Sequence, residues 1–296
     1  MNVGLCTTDA ALELPEAVAR LVAAAGHTPL AWPRAPEGVA VIDTPEALRA
    51  DTALILIFTP TDRLRAGVRA LRPGPAEHLV LVTRGLEPVT AARGSDIVLA
   101  ESACLRVGAL AGPLLAAEVR RGAPSAVVVA ARFDEVPRRA QAALGSSACR
   151  VYASADLPGV EIAGAMVEVL AMALGLARGL GLGVGAEAMI VTRGIAEGAR
   201  LSARIQGDPR TFSGLAGVGE LVAAAGLPDH LGHARGLALA RGETDPGAAA
   251  LCDALLAHSR DLPITAAVAA IAHGQARAAE VVGRLMIRAS GEEFRA

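Results

Sequence analysis

The chain of 296 residues is expected to fold as a doubly wound, parallel α/β sheet followed by an all-helical part. Up to about residue 156, short apolar runs of β-type residues alternate with stretches of helical period. Beyond Asp156 the β-type runs stop, and nearly everything from Gly159 to Ser290 has helical period, broken by glycine and proline at 181–185, 207–209, 226–228 and 242–246. Continuous apolar strands that alternate with helices argue for a parallel sheet covered on both faces. Two regions are therefore expected, 1–156 and 157–296, joined by a short turn at Leu157 and Pro158 and packed together.

Strands are expected at 2–6, 28–32, 39–42, 53–58, 79–83, 107–110, 125–131 and 150–153. Between them, helices are expected to open at Pro15, Pro45, Thr61, Pro113 and Phe133. Proline suits a first helical turn because the N–H it lacks has no intrahelical partner there.

Composition limits the function classes. All 28 basic residues are arginine, lysine is absent, and Asn2 is the sole asparagine. A net charge of -2 supplies no basic field for nucleic acid. Cys6, Cys104, Cys149 and Cys252 form no CxxC pair and fit buried small side chains in a reducing compartment, so a cytoplasmic location is expected. The N-terminus has no basic stretch ahead of an apolar run, as a signal peptide would. The most apolar stretch, 169–177, is short of the roughly 20 residues of a membrane span, and no span is expected.

A set of strings occurs in order along the chain: TRGLE at 83–87, GPLLAAEV at 112–119, RVYASAD at 150–156, GVEIAGA at 159–165, VTRGIAE at 191–197, FSGLAGVG at 212–219, LPI at 262–264 and LM at 285–286. With Gly26, His27 and Trp32 at the second strand, they resemble the bacterial NAD(P)-dependent glycerol-3-phosphate dehydrogenases over nearly the whole chain. The resemblance implies a Rossmann-like domain followed by a helical domain of the 6-phosphogluconate dehydrogenase type. It also implies reduction of dihydroxyacetone phosphate to sn-glycerol 3-phosphate, and a homodimer or a heterodimer with a related protein.

The residues that would carry that chemistry are altered. A dinucleotide site needs glycines after the first strand so that the backbone approaches the pyrophosphate at a helix N-terminus. Here the turn runs through Thr7, Thr8 and Asp9 to Glu13 and Pro15 without a glycine. The family's GALKNV string is matched by GAMVEV, which puts Val167 at the lysine position and Glu168 at the asparagine position. The family's strand-end lysine falls on Arg84, a guanidinium able to bind an oxyanion but a poor general acid. Its GDL becomes Gly219, Glu220 and Leu221, and its Ser-Arg-Asn motif falls on His230, Leu231 and Gly232.

A new chemistry has two candidate donor sets. His230 and His233, beside Asp229, would share a helical face as metal ligands, though two histidines without a clear third ligand are more often solvated loop or cap residues. Glu161, Glu168 and Glu220 could form a carboxylate cluster, Glu161 being more simply a structural hydrogen-bonding residue. The favoured reading is a diverged homologue without hydride transfer, acting as a partner subunit, scaffold or ligand-responsive module, with NAD(P) implied only where the family's activity is retained. The alternatives are an active dehydrogenase with a rewired site and an enzyme of different chemistry in the inter-domain cleft.

Overall fold

The computed structural model describes residues 1–8, 11–227 and 230–281. All eight expected strands are present: β1 (Asn2–Thr7), β2 (Thr28–Pro33), β3 (Ala40–Val41), β4 (Leu54–Ile57), β5 (Leu79–Leu81), β6 (Val107–Ala111), β7 (Ser125–Ala131) and β8 (Cys149–Ser154). They form one sheet in the order β3-β2-β1-β4-β5-β6-β7-β8. β3 keeps only two residues of its expected run, both exposed at the sheet edge.

The sheet is not parallel throughout, as the sequence reading expected. β7 runs antiparallel to β6, Gly108 facing Ala131 and Ala111 facing Val128, and β8 is parallel to β7. The link between β6 and β7 holds only the five-residue helix α5 (Ala116–Arg120). A parallel crossover needs a dozen or more residues, usually with a helix long enough to span the sheet, so this link turns the chain back instead.

The remaining helices of this region are α1 (Glu13–Ala24), α2 (Pro45–Asp51), α3 (Thr61–Leu71), α4 (Gly94–Glu101) and α6 (Glu135–Leu144). Pro45 and Thr61 open their helices as expected, and Thr44 caps α2 by accepting the Ala47 N–H. Pro15 stands third in α1, while α5 and α6 start after Pro113 and Phe133. The helix α4 has no counterpart among the expected ones. Its apolar residues Ile97, Val98 and Leu99 are consecutive and show no helical period.

Helices α1, α5 and α6 cover one face of the sheet through Val18, Val22, Val119 and Ala140. The opposite face meets α2, α3 and α4 and continues without a break into the helical part through Leu157, Ile162, Met166 and Leu170. These last belong to α7 (Leu157–Gly179), which Asp156 caps by accepting the Gly159 N–H. The helix is apolar on all sides, as a central core helix must be. Its 23 residues are long and apolar enough to cross a membrane, a longer apolar run than expected, but most of the helix is buried inside the protein.

Around α7 stand α8 (Val184–Arg204), α9 (Glu220–Gly226), α10 (Leu231–Ala240), α11 (Pro246–His258) and α12 (Pro263–Ala272). The backbones of α7 and α10 nearly touch. A Cβ added at Gly236 would lie 2.1 Å from Met172 O and 2.8 Å from Leu176 N, so only glycine permits the approach.

Candidate functional site

In an open α/β sheet, ligands bind beyond the carboxyl ends of the strands where the strand order reverses, here between β1 and β4. At that edge of this protein threonine side chains link the strand ends. The buried Thr7 hydroxyl donates to Arg34 O beyond β2, Thr8 Oγ1 donates to Thr59 Oγ1 at 2.7 Å, and Thr83 Oγ1 donates to Thr59 O. Asp9 lies outside the described residues.

The N-terminus of α1, where a pyrophosphate would lie, has Leu12 at its cap without a side-chain hydrogen bond. Glu13 and Glu16 occupy its first turn, so the helix dipole is met by the chain's own carboxylates. Glu16 is further paired with Arg20 at 3.0 Å. With no glycine cradle and with acidic side chains in the anion position, these residues do not fit a dinucleotide pyrophosphate.

Arg84, Glu168 and Glu220, the residues that the resemblance assigns to the reaction centre, meet beside Gly112 and come from separate elements. Arg84 follows β5, Glu168 projects from the middle of α7, and Gly112 follows β6. Glu220 opens α9 directly after the 3-10 turn Pro209–Ser213 and the π-turn Leu215–Gly219. Arg84 Nη1 lies 2.5 Å from Glu220 Oε1 and 3.6 Å from Glu168 Oε1. The Gly112 N–H donates to Glu220 Oε2 at 3.0 Å. Gly112 has φ of +117°, a conformation that favours glycine and that aims its N–H at the carboxylate. The Arg84–Glu220 contact is an ion pair without hydrogen-bond alignment, since Oε1 has no partner that meets hydrogen-bond geometry.

Burial dominates the electrostatics. Glu220 is 1% exposed, and burial pushes its carboxyl up to about 7 against the opposing pull of Arg84 and the Gly112 N–H. Burial works to lower Arg84, but Glu220 and Glu168 more than compensate and hold it above its ordinary value. Arg84 is therefore charged and already neutralised from within the protein. Val167 is fully buried in the hydrophobic core and offers no proton. Glu161 stands apart: Ser95 N and Ser95 Oγ donate to it at 2.7 and 2.6 Å, which ties α7 to the first turn of α4. It serves as the structural hydrogen-bonding residue the sequence suggested.

His230 caps α10 and His233 sits in its first turn. Burial lowers His230, whose Nδ1 has no hydrogen-bond partner among the described residues, and its titratable neighbours are Glu168, Arg84 and His233. Among the described residues no group of three or more His, Cys, Asp and Glu side chains gathers at a metal-sized site, and Asp229 lies outside them. Two surface depressions are lined by Gln141, Arg150 and Tyr152 and by Arg204, His258 and Arg260, none of which belongs to the cluster. Sequence reading missed the threonine links and the Gly112 contact. Threonine at the ends of β1 and β5 was the available signal, and Gly112 was visible only as part of a motif.

The profile of the NAD-dependent glycerol-3-phosphate dehydrogenase N-terminus matches residues 33–136, starting beyond the β1–α1 turn, and that of the C-terminus matches 156–283. Glycerol-3-phosphate dehydrogenase [NAD(P)+] of Streptomyces coelicolor is 36% identical over 274 residues, covering 86% of this chain and 81% of that protein. The enzyme of the same name from Methylibium petroleiphilum is 37% identical over 259 residues, 83% of this chain and 78% of its own. The crystal structure of glycerol-3-phosphate dehydrogenase from Coxiella burnetii superposes with a TM-score of 0.86 at 24% identity, covering 97% of this chain and 99% of that one. The structural likeness supports the Rossmann-plus-helical fold, and the profiles and sequence relatives show that the chain belongs to the NAD-dependent glycerol-3-phosphate dehydrogenase family.

Proposed function

We propose that this family member has given up hydride transfer and acts as a partner subunit, scaffold or ligand-responsive module. The observation that carries the reading is that Arg84, which the resemblance assigns to the reaction centre, is held by Glu220 and Glu168, while Val167, which the resemblance assigns to the lysine position, is buried in the core. The chemistry needs a group that exchanges a proton with the substrate carbonyl. Valine exchanges none, and a guanidinium flanked by two carboxylates stays protonated. The lack of a glycine in the turn after β1 and the acidic start of α1 support the same reading for the cofactor. The resemblance implies pairing with a second copy or a related chain, which sedimentation would test.

The test is direct. Purified protein should neither oxidise NADH or NADPH with dihydroxyacetone phosphate nor gain thermal stability from either dinucleotide. A bound ligand at about 100 times its Kd adds about 2.7 kcal/mol, so binding would be evident. Turnover at an ordinary enzymatic rate would overturn the proposal. One observation favours the second reading, an active dehydrogenase with a rewired site: relatives that carry that name share 36% of residues over most of the chain. Saturable stabilisation by NADH together with turnover would establish it.

A further inference from the structure

The larger of the two surface depressions lies in the helical part, where α8 and α11 end and residues 259–262 lead into α12. It is a cleft of about 620 Å³, a volume suited to a small ligand. Arg204, His258, Ser259, Arg260 and Asp261 contribute to its lining. Arg204 and Arg260 are exposed, and neither guanidinium has an ion pair or a hydrogen bond among the described residues. The carboxylate in the lining, Asp261, is already met by Arg200 at 3.4 Å. Ser259 is 6% exposed. Its Oγ accepts the Asp261 N–H at 3.2 Å, and its own O–H has no acceptor among the described residues. His258 is fixed from the sheet part, donating from Nε2 to Ala91 O at 2.8 Å across 167 positions of sequence.

The cleft therefore offers donors and positive charge that nothing in the protein takes up. Arg204 and His258 are the last residues of α8 and α11, whose C-terminal ends each carry about half a negative charge. Two free guanidinia exceed that sum and leave the cleft positive. A monocarboxylate has one charge and two oxygens to share between them. A dianionic phosphoryl group has three acceptor oxygens, enough to engage both guanidinia and the buried hydroxyl together. We propose that this cleft binds a dianionic phosphoryl group, with Arg204 and Arg260 as its charge partners and Ser259 Oγ as a hydrogen-bond donor. None of these residues belongs to the Arg84 cluster, and the site stands whether or not the chain transfers hydride.

The test is an NMR titration of the full chain with inorganic phosphate at about pH 8, where it is dianionic, with ionic strength held constant so that screening does not change. Saturable shifts of the Ser259, Arg260 and Asp261 amides are expected, with a Kd on the order of 1 mM or tighter. Arg204→Gln and Arg260→Gln should each weaken binding about tenfold, and the double variant should abolish it. Both arginines are exposed and unpaired among the described residues, so these variants should keep the stability of the parent chain. Arg193→Gln, at another exposed position of α8, removes the same charge and should leave binding unchanged. Acetate should bind at least about tenfold more weakly than phosphate. Ribose 5-phosphate, titrated in parallel, separates the two sources of the group: tighter binding than inorganic phosphate assigns a phosphoester, and the reverse order assigns the free ion. The site is overturned by the absence of saturable shifts at these amides, by affinity that survives in the double variant, by an equal loss in Arg193→Gln, or by acetate binding as tightly as phosphate.

Discussion

Two helix N-termini in this molecule receive a carboxylate in opposite ways. At α12, Glu197 arrives from α8, is 1% exposed, and accepts from Ile264 N at 2.9 Å, Thr265 N at 3.0 Å and Thr265 Oγ1 at 2.7 Å. At α1, Glu13 is exposed and belongs to the helix's own first turn. Both satisfy the positive end of a helix dipole, but the first also binds two distant elements together. The contrast separates scaffold from site. Where the fold needs an anion, the carboxylate is distant, buried and fully hydrogen-bonded. At the start of α1, where the resemblance implies a cofactor phosphate, the carboxylate is local and solvated.

The largest effect should come from Glu197→Ala, which strands two buried N–H groups and a hydroxyl; a loss of about 4 kcal/mol is expected in urea unfolding. A loss below about 1 kcal/mol would break the distinction between the two helix starts. Next is Gly236→Ala, where the new Cβ meets Met172 O and must part α7 from α10, at about 2–3 kcal/mol in the same assay. Arg84→Ala should cost about 2 kcal/mol rather than more, since Glu220 escapes an unpaired charge by taking a proton. Its carboxyl midpoint should then rise, and an unchanged midpoint would show that Arg84 does not hold it. The smallest effect belongs to Glu13→Ala, within about 0.5 kcal/mol, because an exposed first-turn carboxylate acts only through a screened dipole.

The same division sets the pH profile. Glu161 and Glu220 are raised, so their contribution is complete below about 4.5 and is lost as pH rises through about 7. Glu87, held down by Arg65, Glu187, held down by Arg178, and Asp245, held down by Arg235, act with the opposite sign. Their contribution is present above the ordinary carboxylate range and is lost as pH falls below it. Unfolding midpoints measured across pH should therefore peak on the acid side of neutrality and move toward higher pH in the Glu161→Gln, Glu220→Gln double variant. A peak that stays in place would show that the buried pair does not shape the profile.

Much of this was legible in the chain. β7 runs over the expected 125–131 to the residue, because an unbroken apolar run has one reading when both faces are covered. The altered positions 84, 167, 168 and 220 were visible as departures from a recognisable pattern. The reversal at β7 was not visible, since strand direction depends on how far a connection reaches rather than on the strand's own residues. The helix α4 was hidden because its burial comes from both the sheet and Glu161, which blurs the period that a single buried face imprints.

By itself the sequence determined the order of the strands, the family and the absence of a glycine cradle, because apolar period, motif order and residue identity are local properties. Only the tertiary structure decided that Arg84 is neutralised by Glu220 and Glu168, that Glu161 belongs to the scaffold, and that Thr7 and Thr8 bond to Arg34 O and Thr59. Glu220 and Gly112 lie 108 positions apart. Whether a charge can be offered to a ligand depends on which distant charge reaches it in a buried, weakly screening environment, and that is set by packing.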